Sequence, residues 1–282
     1  MQIEWCTQMI LWNRLPAGVR RVLQRWLLRP VKRLLSRGVI RQPGFVMERR
    51  LDQAVPFLMI REGGYEPIVT SLLRNWLRPG DTFLDIGANV GYFTLLGAAC
   101  VGPGGQVHSF EPHPVTFASL QRNVRLNGFE HVWCNALAVS STEQPVQLWH
   151  DPETDLGMAS LSSHAGQFTN YIECPATTLD AYMTTRAIHQ IRAMKMDIEG
   201  AEVLALHGAR SLLASPQRPQ LLIVEAIEAH LQSTGFTVDA LVWELQDTGY
   251  EVLRLVGDRS EYRLEPLVSG VAPVSSMLVA RT

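Results

Sequence analysis

The sequence predicts a doubly wound α/β fold, with a mainly parallel, seven-stranded sheet, helices on both faces and a basic helical extension in front. Three observations carry that expectation. From Arg61 onward, short apolar runs alternate with helical patterns, the signature of right-handed βαβ units. A glycine-containing turn, Asp85-Ile-Gly-Ala-Asn-Val-Gly91, follows the first of these runs and opens a helix. Residues 1–50 carry eleven basic side chains against two acidic ones, leaving 14 basic and 25 acidic for the remainder. A basic arm therefore precedes an acidic domain, with 1–60 read as the extension and 61–282 as the domain.

Within the arm, Trp12, Leu15, Val19, Val22, Leu23, Trp26, Leu27, Val31, Leu34 and Leu35 recur at spacings of three and four with arginines between them. That pattern predicts an amphipathic helix over 14–37, with Pro16 in its first turn, a kink at Pro30 and an end at Gly38. Such a helix could pack on the domain or on a second copy of the chain. It could equally lie on an anionic membrane surface, with Trp12 and Trp26 at the interface.

The strand-like runs are Thr82–Ile86, Gln106–Phe110, Val132–Leu137, Met194–Ile198, Leu221–Glu225, Glu251–Val256 and Met277–Ala280. Helical patterns separate them over Val90–Val101, Val115–Asn127, Ala201–Ala214 and Val238–Gly249. Residues 140–193 exceed what a plain βαβ connection needs. Two extra strands are expected there, Val146–Trp149 and Ile172–Ala176, around a loop rich in Gly, Ser and His. An insertion at this position is a candidate substrate lid, with Trp149, Phe168 and Tyr171 as pocket candidates.

Bulk properties exclude several classes. A net charge of −2 gives no reason to expect nucleic acid. Cys6, Cys100, Cys134 and Cys174 lie far apart, which argues against a metal cluster or a disulfide framework and for a reducing cytosol. No apolar run approaches a membrane span, and Met9–Trp12 is too short for a signal sequence.

The chemistry concentrates at strand ends. Gly87 permits a tight turn and Gly91 a close approach of helix to sheet, in the crevice where such folds bind ligands. Asn89 stands where the dinucleotide fingerprint needs its second glycine. Asp85 would repel a pyrophosphate, whereas it would welcome a cofactor carrying an ammonium and a sulfonium. At the end of the second strand, Glu111 can accept hydrogen bonds from both hydroxyls of a ribose. Together these describe an adenosine-type ligand without a phosphate cradle.

Tyr65-Glu66-Pro67, Pro79-Gly80-Asp81, Asp85 to Thr94, Phe110-Glu-Pro-His-Pro114, Leu120 to Asn123 with Asn127, and Thr178-Leu-Asp180 occur in the order of a known family. So do Lys195-Met-Asp-Ile-Glu-Gly-Ala-Glu202, Gly208-Ala209 and Glu225. Over roughly residues 62–256 the chain resembles the FkbM-type methyltransferases, which have a Rossmann-like sheet. The resemblance implies S-adenosylmethionine as cofactor and methylation of a hydroxyl on a sugar, glycolipid or secondary metabolite. It implies that Asp85, Gly87 and Gly91 hold the methionine end and Glu111 the ribose, with Glu66 and Asn89 also among the cofactor-binding residues. The backbone near Ala138 would flank the adenine, although Asn135–Val139 departs from the family's usual sequence.

Read from the residues themselves, Asp197 ends a buried strand facing the crevice. Glu199 and Glu202 open the following helix, whose dipole favours negative charge, and Glu225 ends the neighbouring strand. Asp197, Glu225 and Glu199 are therefore the catalytic candidates. Asp197 and Glu225 could share a divalent cation, magnesium or manganese, unless Lys195 offsets their charge. Glu199 and Glu202 could instead cap the helix, with Lys195 as a partner. His113 is expected to shape its turn and His164 is a candidate base. His108, His131, His150, His189, His207 and His230 read as ordinary surface or helix residues.

Two other functions fit parts of the pattern. An NAD-dependent oxidoreductase would retain NAD on purification, where a methyltransferase would retain S-adenosylhomocysteine. A non-catalytic, membrane-recruited nucleoside-binding module would show no turnover. The chain is expected in the cytoplasm, with peripheral attachment to the inner membrane surface if the arm binds lipid.

Overall fold

The computed structural model describes residues 38–50, 53–150, 159–162, 170–186, 188, 190–257, 261–267 and 277–282. The expected helix over 14–37, and with it the membrane-facing arm, lies outside the described residues, as do His164, Phe168 and His189.

Part of the expected helical extension is a hairpin. β1 (Val39–Gln42) and β2 (Phe45–Glu48) pair antiparallel around Pro43-Gly44. Strand-like residues flank a proline that cannot continue a helix. Phe45 and Met47 are buried in the main core, which contributes roughly 1.5–3 kcal/mol per side chain. Helices α1 (Ala54–Glu62) and α2 (Pro67–Trp76) follow.

The sheet begins with β3 (Thr82–Ile86), α3 (Tyr92–Val101), β4 (Gln106–Phe110), α4 (Pro114–Leu126) and β5 (Val132–Asn135). α4 also clamps the hairpin. The Val46 and Glu48 amides donate to Asn127 Oδ1 and Asn123 Oδ1 at 2.7 and 2.9 Å. The insertion holds β6 (Ala138–Val139), β7 (Val146–His150), β8 (Asn170–Cys174), β9 (Ala176–Thr177) and α5 (Leu179–Arg186). The two extra strands expected here are present, the second divided between β8 and β9; β7 pairs antiparallel with β8, and β6 pairs parallel with β9.

The chain then returns through β10 (Ala193–Met196), α6 (Glu202–His207), α7 (Arg210–Leu213), β11 (Leu221–Glu225), α8 (Glu228–Ser233) and α9 (Val238–Asp247). It ends with β12 (Glu251–Gly257), β13 (Tyr262–Pro266) and β14 (Met277–Arg281). The single helix expected over Ala201–Ala214 divides at Gly208-Ala209.

The main sheet runs β13-β12-β14-β11-β10-β3-β4-β5. Its five strands from β11 to β5 are parallel, while β14 and β13 pair antiparallel. An eighth strand thus joins the seven. β13 reads Tyr-Arg-Leu-Glu-Pro, half-buried and ending in a proline that an edge strand tolerates, so its apolar signal is weak. Alternate strand residues feed two cores. Phe83, Ile223 and Val279 pack under α1 to α4, and Leu84, Ile86, Met194 and Met196 pack under α5 to α9. Helices on both faces make the sheet doubly wound. No helix among the described residues is long and apolar enough to cross a membrane.

From β3 the chain winds outward through β4 and β5, then returns to place β10 on the other side of β3. The strand order therefore reverses between β3 and β10. The crevice above that point is where open α/β sheets bind ligands.

Candidate active site

A cleft of about 890 Å³, counting the part open to solvent, occupies that crevice. Gly87, Ala88, Asn89, Glu111, Ala138, Asp197 and Glu199 are among its lining residues. The expected Gly87, Asn89, Glu111 and Ala138 thus meet on one wall.

Local geometry explains that wall. Gly87 has φ +82°, and a Cβ there would lie 1.9 Å from the Asp197 carbonyl oxygen. Gly91 has φ +99°, and its Cβ would lie 2.7 Å from Leu120 Cδ1. Both positions exclude a side chain, so the turn can press against β10 and α4. Glu111 is almost fully buried. Its Oε2 accepts from the Asn89 amide and its Oε1 from the His113 amide, each at 2.9 Å. Burial raises the Glu111 carboxyl to about 7, against the pull of those two amides. Each oxygen keeps a further acceptor position for a ligand hydroxyl. Ala138 spends its amide on the Pro175 carbonyl at 2.9 Å and belongs to the β6–β9 ladder, so it offers the cleft a wall.

Asp85 lies beneath the cleft rather than on its surface. Its Oδ2 accepts from the Thr94 hydroxyl at 2.6 Å, while Oδ1 is buried without a partner. Burial raises its pKa, opposed by Lys195 and Thr94. Lys195, across the β3/β10 ladder from Asp85, is fully buried. Its ammonium donates to Asp197 Oδ2 at 2.7 Å and lies 4.7 Å from the centre of the Phe93 ring. Burial would lower the Lys195 pKa, yet Asp197, Glu66 and Asp85 together hold it above its usual value.

Lys195 therefore belongs to Asp197, not to Glu199 or Glu202 as the capping alternative supposed. Glu202 does cap. Its Oε1 accepts from the Ile198 and Gly200 amides at 3.0 and 3.3 Å. Burial raises Glu202 to about 7. Glu66, at φ +38°, stands apart from the expected cofactor wall. It lines a separate small cavity with Glu225, and its Oε2 is buried without a partner. Burial raises its pKa, and Lys195 opposes the shift.

The remaining acids gather around a histidine that sequence reasoning set aside. His230 Nδ1 lies 3.0 Å from Glu199 Oε2 and 3.3 Å from Glu225 Oε2. Hydrogen bonds to Glu199 and then Glu225 raise the imidazole to about 10. Burial, then Asp197, raises Glu225 to about 8. A histidine five residues after Glu225, on the helix following that strand, was the available signal. His108 is likewise no surface residue, being buried, stacked on Trp133 and bonded to the Tyr182 hydroxyl at 2.9 Å.

The insertion forms part of the cleft. Leu148, Ala159 and Leu161 line it, and the Ser160 hydroxyl donates to the Glu199 carbonyl at 2.7 Å. Trp149 and Tyr171 pack against each other with centroids 5.0 Å apart and rings tilted by 48°, and neither is among the lining residues.

A family model described as the methyltransferase FkbM domain matches residues 85–252. A 47-residue stretch is 55% identical to the 31-O-demethyl-FK506 methyltransferase FkbM of Streptomyces tacrolimicus, covering 17% of this chain and 18% of that protein. Among solved structures, the methyltransferase FkbM of Methylobacillus flagellatus is 16% identical, with a TM-score of 0.44 over 76% of this chain and 50% of its own. A putative rRNA methylase of Clostridium thermocellum gives 10% identity and a TM-score of 0.45 over 76% and 92%. These structural likenesses are distant; the assignment rests on the sequence match.

Proposed function

The chain belongs to the FkbM methyltransferase family, and from that premise we propose that it moves a methyl group from S-adenosylmethionine to a hydroxyl of a sugar, glycolipid or secondary metabolite. When bound, this cofactor supplies an electrophilic methyl on a sulfonium. The residues present fit it. The observation that carries the reading is Glu111, whose two oxygens are fixed by backbone amides beside a side-chain-free turn, the arrangement a ribose diol requires. The unpartnered Asp85 oxygen beneath the turn supplies negative charge for a cationic ligand and opposes a pyrophosphate. Within this reading Ala138 flanks the adenine and Gly87 with Asn89 bounds the methionine end.

Transfer to an oxygen depends on alignment of donor and acceptor and on exclusion of water. Asp197, neutralised by Lys195, is suited to orient a bound group by hydrogen bonding, without a metal of its own. Glu199, which lines the cleft, is placed to take an acceptor proton. The printed name of the Streptomyces relative refers to an O-demethyl compound, which favours an oxygen acceptor here by analogy.

Calorimetric titration of the full chain with S-adenosylhomocysteine tests the cofactor site. Charge-assisted hydrogen bonds contribute about 1.5–3 kcal/mol, so Glu111→Ala should weaken binding tenfold or more. Unchanged affinity in a folded variant would overturn the ribose role. For the acceptor, cell extract plus cofactor should yield a product heavier by one methylene unit.

For residues 14–37, we propose recruitment to anionic membrane surfaces. Basic residues near such a surface add about 1 kcal/mol each, screened by salt. Deleting residues 1–40 should abolish low-salt sedimentation with anionic vesicles; equal recovery with neutral vesicles would refute the idea.

A further inference from the structure

The sequence names Asp197 and Glu225 as the pair that could share a divalent cation, with Lys195 as the competing positive charge. The structure changes both terms. Asp197 is committed to Lys195 at 2.7 Å. Glu225 instead converges with Glu199 on His230, and one donor atom from each lies within 4.8 Å of the others. Two of these separations, 3.0 and 3.3 Å, are measured from one nitrogen. Octahedral coordination with bonds of about 2.1 Å places neighbouring donors roughly 3 Å apart. A single N–H on Nδ1 cannot satisfy two carboxylates equally well, whereas a cation bonded to all three donors can.

A second observation points the same way. On its other side Glu225 lines the cavity it shares with Glu66, whose Oε2 is buried and unpartnered. Among the described residues, Lys195 pairs with Asp197 while His230 meets Glu199 and Glu225, with the carboxyls of Glu66 and Asp85 close by. Carboxylates crowded in this way must share protons or take up a cation.

We propose that Glu199, Glu225 and His230 form a divalent-cation site beside the cleft. The mixed carboxylate and imidazole set suits a first-row ion such as Mn²⁺ better than Ca²⁺. Glu199 belongs to both the site and the cleft wall, so an ion there could contact an acceptor oxygen and make its proton easier to lose. That last role rests on the methyl-transfer reading; the binding site does not.

The test is titration of the full-length protein with Mn²⁺ alone, with free ion followed by electron paramagnetic resonance and no cofactor present. One saturable site is expected. Glu225→Gln and His230→Ala should each weaken it about tenfold or more, whereas Glu111→Ala should leave it unchanged. Retained S-adenosylhomocysteine binding in the first two variants shows that they are folded. No saturable uptake up to about 1 mM, the weak end of protein cation sites, would overturn the proposal, as would unchanged affinity in folded His230→Ala. Mn²⁺ uptake without any S-adenosylhomocysteine binding would sink the methyl-transfer reading and leave the cation site standing.

Discussion

The two walls of the cleft stabilise carboxylates by opposite means. On the β3–β4 side, Glu111 is held by two main-chain amides from residues within 22 positions of it. On the β10–β11 side, Asp197, Glu199 and Glu225 depend on side chains, Lys195 and His230. An amide-held carboxylate is fixed in place whatever the neighbouring side chains become. A carboxylate held by one lysine or one histidine depends on that residue for solvation, geometry and charge. The first wall therefore suits an unchanging nucleoside, and the second suits chemistry that varies with protonation or with an ion.

The largest expected effect tests the second wall. Lys195→Met keeps much of the buried volume but removes the cation shared by Asp197, Asp85 and Glu66. Breaking a buried pair from one side typically costs about 3–5 kcal/mol. Chemical denaturation should show a loss of that size. A loss below about 1 kcal/mol, the usual value of an exposed pair, would mean that the acids are solvated by other means and would erase the contrast.

Gly87→Ala should come next and strikes the first wall. Its Cβ would collide with the Asp197 carbonyl oxygen at 1.9 Å, in a backbone conformation that favours glycine. Overpacking of this kind costs about 1–3 kcal/mol, and the forced shift separates the turn from β10. The expected outcome is a folded protein with much weakened S-adenosylhomocysteine binding. Wild-type affinity would show that the close approach serves packing alone.

A third effect is read in pH. Glu111 is raised from its usual 4.5 to about 7, and its ionised form is the stronger acceptor for ribose hydroxyls. Affinity for S-adenosylhomocysteine should therefore fall as pH drops from about 8 to 6, and Glu111→Gln should flatten that dependence. A profile unchanged by the substitution would move the titrating group to the other wall, where Glu225 is raised to about 8.

The same contrast explains what the sequence disclosed. β3, β4 and β11 carry their expected bounds because they are buried parallel strands, and buried strands read as continuous apolar runs. The first wall was legible because turn, glycines and Glu111 form a local, ordered pattern whose partners are main-chain atoms. The pairing of Lys195 with Asp197 was left open because the segment after β10 also carries Glu199 and Glu202 as alternative partners. His230 was signalled by its spacing from Glu225 alone, because the other half of its role depends on Glu199, 31 positions earlier. The hairpin over 39–48 escaped because two four-residue strands broken by Pro43-Gly44 are too short to show a period beside the long helical pattern before them, although Phe45 and Met47 alternate toward the core.

The smallest expected effect sharpens the comparison by crossing it. Glu202 lies buried behind the acidic wall but is held as Glu111 is, by the Ile198 and Gly200 amides. If amide support rather than location decides robustness, Glu202→Gln should be mild, because a glutamine carbonyl can accept the same bonds. The expected change at pH 5 is within about 0.5–1.5 kcal/mol, the net value of one hydrogen bond. The sign with pH follows from its carboxyl being raised from 4.5 to about 7. The folded state then binds more protons than the unfolded state between those values, so this contribution is full below about pH 4.5 and is lost as pH rises through 7. Glu202→Gln should remove that slope and become relatively more stable than wild type at pH 8, measured by denaturation at both pH values. A loss at pH 5 as large as that of Lys195→Met would show that position behind the acidic wall, and not the kind of partner, governs the cost.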